Sequence, residues 1–115
     1  MYKKLYKVRR GAKIDGVCGD LAKYFEQIIS GDMFKETKPH PEIYLHTAKL
    51  LGSEPSNCLV IEDSTYGITA GHNAGMTVAA VIDERFSFDR TLADYQINSL
   101  SDIISLLDKL KFCTA

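Results

Sequence analysis

The sequence has little of several features that mark large classes of protein. Its three cysteines, Cys18, Cys58 and Cys113, lack the spacing of metal ligands, so we interpret them as thiols of a cytoplasmic protein. It contains no apolar run as long as a bilayer requires, so no membrane span is expected. The net charge of −1 argues against a nucleic-acid partner, because such a surface needs an excess of lysine and arginine.

The charges that are present are distributed unevenly. Residues 1–13 carry six lysines and arginines and no acidic residue, and the first ten residues are not followed by the apolar stretch of a signal peptide. This break is typical of a basic tail on a globular body, and a frayed, solvated N-terminus is the alternative. Residues 7–11 are a poor candidate for a buried strand. We therefore divide the chain into a basic segment, 1–26, and a core, 27–115.

From residue 27 onward the pattern alternates between strand and helix. Apolar runs of strand length occupy 27–30, 58–61 and 77–82, and residues 95–97 are expected to form a short edge strand. Helical spacing extends from Pro41 to Leu51 and from Thr65 to Ala74, with Gly52 and Gly75 in the stop positions. This alternation predicts an α/β fold with a parallel sheet and helices packed on it.

Two of the predicted helices have features that bear on packing. Gly67 and Gly71 each weaken the second helix by about 1 kcal/mol relative to alanine. The last helix is expected to begin with a capping box of Ser99 and Asp102. Its predicted apolar stripe consists of Leu100, Ile103, Ile104, Leu107 and Leu110.

The chemically informative feature is the acidic pair Glu62 and Asp63, directly after a strand. Sites in open α/β sheets form at the carboxyl ends of strands. Adjacent carboxylates repel one another there, and a cation such as Mg²⁺ would relieve the repulsion. The alternative is that both residues only cap the following helix.

Lys38 is the second candidate, since it follows a predicted strand and precedes Pro39. A lysine in such a turn is able to reach a phosphoryl oxygen as a compact positive charge. An exposed, solvated lysine is the alternative for this residue taken alone.

Residues 27–110 resemble the C-terminal half of a haloacid dehalogenase superfamily hydrolase of the β-phosphoglucomutase-like type. The matching blocks are Ile28–Asp32, Lys38–Tyr44, Leu59–Ser64, Gly67–Ile68 and Ala70–Met76. The resemblance implies a truncated, three-layer, Rossmann-like core with a parallel sheet and without a cap domain. It also implies Mg²⁺-dependent phosphoryl transfer on a small phosphorylated substrate, such as a sugar phosphate. By resemblance, Lys38 is the catalytic phosphate-binding lysine, Glu62 and Asp63 are metal ligands, and Ser64 is a phosphate-binding neighbour.

One motif of that family is missing from this sequence. The family's nucleophile belongs to an Asp-x-Asp motif, and no such motif occurs in the 115 residues. We therefore expect this chain to be inactive alone. Loss of the family's central strands would also leave strands 27–30 and 58–61 unpaired. A non-enzymatic binding or self-assembling domain, from a gene fusion or truncation, is the alternative, with a homo-oligomer joined through those strands.

The basic segment has a resemblance of its own. Residues 1–25 resemble the start of a phage-shock-protein C type domain, through the blocks Lys3–Tyr6, Lys13–Ile14, Gly16–Gly19, Leu21–Ala22 and Tyr24–Phe25. The membrane segment that should follow in that family is absent here. The chain is thus expected to join two unlike pieces near Glu26.

Overall fold

Strands and helices alternate along the part of the chain that the computed structural model describes, which is residues 7–8, 29–30 and 34–110. Each of the three helices in that part has nine residues, and none is long and apolar enough to cross a membrane. A short 3-10 helix covers Pro55–Asn57. The elements are β1 (Lys7–Val8), β2 (Ile29–Ser30), α1 (Glu42–Leu50), β3 (Leu59–Glu62), α2 (Thr65–Asn73), β4 (Thr77–Val81), β5 (Tyr95–Ile97) and α3 (Asp102–Leu110).

All strand pairs among the described residues are parallel. β4 lies between β3 and β5 in one sheet, and β1 pairs with β2 in another. The parallel sheet with intervening helices confirms the predicted α/β, Rossmann-like class. β1 forms at Lys7–Val8 although residues 7–11 are a poor candidate for a buried strand. Because β1 pairs with β2, the expectation that strand 27–30 is left unpaired is wrong. The rest of the basic segment, and with it most of the resemblance to phage-shock-protein C, lies outside the described residues.

The three-stranded sheet is covered on both faces, which makes a three-layer arrangement. Side chains alternate between the faces of a strand, so neighbouring residues of β3 and β4 belong to different clusters. Val60 and Val78 pack in the cluster that includes α1 and α2. Ala79 packs in the opposite cluster with Leu106 of α3. The sequence reads as continuous apolar strands because both faces are buried.

Helices α1 and α2 end where the sequence predicts. Gly52 and Gly75 follow them with φ angles of 65° and 77°, which lie in the left-handed region that glycine adopts without a steric penalty. Pro41 precedes the first residue of α1, where its missing N–H is not needed. Local sequence signals therefore set both helix ends.

The interior of α2 contains two glycines for a reason that lies outside the helix. A Cβ at Gly71 would come within 2.8 Å of a methyl carbon of Val78 and 3.3 Å of one of Val60. The helix therefore lies so close to the sheet that only glycine fits without repacking. The close packing offsets the low helix propensity that the sequence predicts.

Helix α3 differs from its predicted apolar stripe. Leu106 is its buried residue, while Leu100 and Ile104 are 66% and 70% exposed. Ile103 and Leu110, which belong to the predicted stripe, pack beside Leu106, so the prediction is confirmed at these two positions and wrong at Leu100 and Ile104. Half of the capping box forms: the Asp102 carboxylate accepts the backbone N–H of Ser99 at 3.2 Å, whereas the Ser99 hydroxyl bonds to that of Ser101.

Candidate functional site

Two carboxylates follow one another where β3 ends, and their surroundings differ. Glu62 is the last residue of β3 and lies on the same face as Val60, the face covered by α1 and α2. Its side chain is only 10% exposed. Asp63 is exposed and makes no hydrogen bond or ion pair within the described part of the chain. The inner carboxylate is thus engaged by the protein, and the outer one is open to solvent.

The partner of the inner carboxylate is Lys38. The ammonium of Lys38 contacts Glu62 Oε1 across a separation of 24 residues, and its side chain is 15% exposed. Lys38 lies in the loop before α1, and its peptide bond to Pro39 is cis. The structure therefore brings together two residues that sequence reasoning selected separately.

Tyr44 is a third member of this cluster that sequence reasoning missed. Its hydroxyl donates a hydrogen bond to the same oxygen, Glu62 Oε1, and the Lys38 ammonium lies 4.9 Å from the centre of its ring. Burial, together with the Glu62 and Asp63 charges, raises the pKa of the Tyr44 phenol, so the hydroxyl remains a neutral donor. In the sequence Tyr44 looks like one apolar position of a helix. Its hydroxyl group is the one feature in the sequence that indicates a role besides packing.

Ser64 serves as the N-cap of α2. Its hydroxyl oxygen accepts the backbone N–H of Gly67 at 3.1 Å. The alternative in which Glu62 and Asp63 only cap this helix is therefore wrong: Ser64 holds the cap position, and Glu62 bonds to side chains of other elements. Ser64 is exposed beside the acidic pair.

Gly67 forms a wall of the cluster from the first turn of α2. A methyl group at this position would overlap the carboxylate of Glu62. Three elements thus surround one carboxylate: the Lys38 loop, α1 through Tyr44, and α2 through the bare backbone of Gly67. This contact explains why position 67 of α2 is a glycine.

The acidic pair is suited to supply part of the coordination shell of a magnesium ion. Carboxylate oxygens are the donor type that Mg²⁺ prefers, and Asp63 has both of its oxygens available. Glu62 offers Oε2, since Oε1 already accepts from Lys38 and Tyr44. Among the described residues no group of three or more histidine, cysteine, aspartate or glutamate side chains is placed to hold a metal. The pair would therefore need further ligands.

The loop after β4 lies beside the start of α2 at the same edge of the sheet. The hydroxyl of Thr65 donates to the backbone carbonyl of Asp89 at 2.8 Å. In the same loop Arg85 makes a two-pronged ion pair with Asp83, with Nη2 at 2.7 Å from Oδ2. The hydrogen bonds from the Arg85 side chain and backbone lower the pKa of the Asp83 carboxyl to about 2. The Asp83 carboxylate is therefore already paired with Arg85 and is separate from the Lys38–Glu62 pair.

Comparison with known proteins assigns the chain to a protein family. A parallel α/β sheet with charged residues at the carboxyl end of a strand defines the chain as a Rossmann-like α/β protein. The sequence profile described as haloacid dehalogenase-like hydrolase matches residues 18–81. The chain belongs to this family of haloacid dehalogenase-like hydrolases.

Individual relatives agree with that assignment. The chain is 34% identical over 89 residues to a phosphoglycolate phosphatase of Aquifex aeolicus, covering 77% of this chain and 42% of the relative. It is 45% identical over 80 residues to a bifunctional riboflavin kinase/FMN phosphatase of Arabidopsis thaliana, covering 69% of this chain and 21% of that protein. The crystal structure of β-phosphoglucomutase from Clostridium difficile superposes with a TM-score of 0.69 at 30% identity, covering 84% of this chain and 43% of that one. The chain thus spans less than half the length of these three proteins.

Proposed function

We propose that this chain carries part of the site of a phosphatase-type hydrolase that acts by Mg²⁺-dependent phosphoryl transfer on a small phosphorylated metabolite, a sugar phosphate in the first instance. The observation that carries the proposal is the Lys38–Glu62 pair at the carboxyl end of β3, with the exposed Asp63 beside it. The phosphatase relatives and the phosphoglucomutase structure support the class of reaction.

The proposed roles follow from charge and exposure. Lys38 would bind a phosphoryl oxygen, because an ammonium has three N–H donors and its described carboxylate partner is Glu62. Ser64 would add a hydroxyl donor at the edge of the site, since its oxygen already accepts from the backbone. Glu62 and Asp63 would hold Mg²⁺. A bound Mg²⁺ would neutralise negative charge on the phosphate.

We further propose that this chain does not turn over substrate alone. In the reaction expected from the family, an aspartate oxygen attacks phosphorus, the substrate's alcohol oxygen leaves, and water then hydrolyses the acyl phosphate. The attacking carboxylate belongs to an Asp-x-Asp motif, which the 115 residues do not contain. Binding of phosphate without turnover is the expected behaviour.

Isothermal titration of the full chain with inorganic phosphate, in the presence and absence of Mg²⁺, tests the proposal. We expect weak phosphate binding that Mg²⁺ strengthens, with phosphate affinity lost in Lys38→Ala and the effect of Mg²⁺ lost in Asp63→Asn. Lys49→Ala, on an exposed lysine of α1, is the matched control and should bind like the original chain. Equal loss in the Lys49 control would contradict the proposal, as would turnover of p-nitrophenyl phosphate by the original chain.

A non-enzymatic, self-assembling domain is the second candidate, and the sheet topology favours it. Among the described residues, β3 is hydrogen-bonded to β4 on one side and lies at the edge of its sheet. An edge strand offers free backbone donors and acceptors to a second copy of the chain. Size-exclusion chromatography with light scattering separates the candidates: a dimer that is lost when Leu59 is replaced by proline supports assembly through β3, and a monomer opposes it.

The division at residue 26 and a cytoplasmic location also remain proposals. If the boundary lies at residue 26, limited trypsin digestion should first cut the chain near that residue, although the pairing of β1 with β2 joins the segment to the core. Mass spectrometry of the protected fragment measures the boundary. A protected fragment that extends well into the basic segment would contradict the division.

A further inference from the structure

We propose that Tyr44 is a positioning residue, which holds the Glu62 carboxylate and through it keeps the Lys38 ammonium at the candidate phosphate site. This inference rests on the proposed function for its purpose, although not for its geometry. Tyr44 ends the matching block Lys38–Tyr44, but the family resemblance assigns it no role. The selecting observation is that its hydroxyl and the Lys38 ammonium donate to one and the same oxygen, Glu62 Oε1.

Tyr44 is itself held rigidly, as a residue that positions others must be. It is 7% exposed and belongs to the core cluster that joins α1 to the sheet. Its ring is packed in the core cluster, so the position of its hydroxyl is fixed by that packing. Sites built on helices and strands hold their groups more precisely than sites built on loops. Lys38, by contrast, lies on a loop and depends on its partners for its position.

The Glu62 carboxylate is confined from more than one direction. Oε1 accepts from Tyr44 and Lys38, and the carboxylate abuts the backbone of Gly67. Rotation of the carboxylate would therefore break the Tyr44 bond or press against α2. Without the Tyr44 hydroxyl, Lys38 would be the one remaining described donor to Oε1, and both flexible side chains would gain freedom.

The arrangement also has an electrostatic consequence. A hydroxyl that donates to a carboxylate takes up part of its negative charge. The carboxylate then neutralises the nearby ammonium less completely. The ring face adds attraction for the ammonium at 4.9 Å from its centre. Tyr44 thus leaves Lys38 both fixed and able to attract an anion.

Tyr44→Phe tests this inference, because it keeps the ring and removes only the hydroxyl. Tyr66→Phe, on a tyrosine of α2 that is 67% exposed, is the matched control. The first readout needs no ligand: the NMR order parameter of the Lys38 ε-methylene should fall in Tyr44→Phe and stay unchanged in Tyr66→Phe. The second readout is phosphate affinity, which should fall about tenfold in Tyr44→Phe, as expected for loss of a hydrogen bond to a charged group.

A double-mutant cycle with Glu62→Gln separates positioning from a structural role. If Tyr44 acts through the Glu62 carboxylate, Tyr44→Phe should change phosphate affinity less than twofold in the Glu62→Gln background. An equal loss in both backgrounds, or an unchanged Lys38 order parameter, would overturn the inference. If the original chain binds no phosphate, the proposed function fails instead, and the order parameter still decides the role of Tyr44.

Discussion

Replacing Gly67 with alanine should destabilise the protein, although the same change stabilises most helices. Gly67 lies in the first turn of α2, and a methyl group there would overlap the Glu62 carboxylate. The obstructing atoms are the far end of a glutamate side chain, which in isolation would simply swing away. Here the carboxylate bonds to Lys38 and Tyr44, so moving it breaks those contacts.

The expected size of the effect comes from two opposing contributions. Alanine in place of glycine in a helix interior ordinarily gains about 0.5–1 kcal/mol. Hydrogen bonds to a charged group contribute about 1.5–3 kcal/mol, and Glu62 and Lys38 are sheltered enough for that range to apply. We therefore expect Gly67→Ala to lower the free energy of unfolding by about 1–2 kcal/mol.

Urea unfolding followed by far-UV circular dichroism measures this change, since the chain has no tryptophan to report by fluorescence. The control is the same substitution in a Glu62→Ala background, where the obstructing carboxylate is gone. There Gly67→Ala should be neutral or stabilising by up to about 1 kcal/mol. Stabilisation by Gly67→Ala in the original chain would refute the reasoning, because it would mean that the glutamate moves at no cost.

Three further changes are expected to have measurable effects. Ser64→Ala should lower the free energy of unfolding by about 1 kcal/mol through loss of the α2 cap. Ser64→Asp should keep most of that stability, because aspartate also caps helices; an equal loss in both variants would contradict a capping role for Ser64. Gly71→Ala should cost about 1–3 kcal/mol in the same urea assay, because its methyl would lie 2.8 Å from a valine of β4. NMR titration should give the Asp83 carboxyl a pKa of about 2, returning towards 3.8 in Arg85→Gln. Because folding lowers this pKa, the pair's contribution to stability is present above pH 3.8 and disappears as the pH falls through 2; a titration unchanged by the substitution would refute the pairing.

Much of the fold is predictable from the sequence because its signals are local. The short segment Tyr95–Ile97 is predicted as a strand with the bounds that β5 has, and Gly52 and Gly75 mark the ends of α1 and α2. Each of these signals depends on backbone preferences within a few residues. The parallel sheet then follows, because strands that alternate with helices run in one direction.

The features that the sequence did not predict depend on contacts between distant residues. The apolar positions of α3 allow more than one buried stripe, and packing against the sheet selects the one containing Leu106. The low helix propensity of Gly71 hides the fact that the sheet leaves no room for a Cβ. Tyr44 escaped notice for the same reason, since its partner lies 18 residues away in the sequence.

The different surroundings of Glu62 and Asp63 follow from the alternation of side chains along a strand. Val60 is buried on the α1/α2 face, so two residues further along Glu62 must also face those helices, where Tyr44 and Lys38 meet it. Asp63 begins the loop and is free of that constraint. Two neighbouring acids that look equivalent in the sequence are therefore divided by the geometry of β3: one is engaged by Lys38 and Tyr44, and the other faces solvent. Because Glu62 Oε1 already accepts from Lys38 and Tyr44, Mg²⁺ binding at the proposed site should depend more on Asp63 than on Glu62.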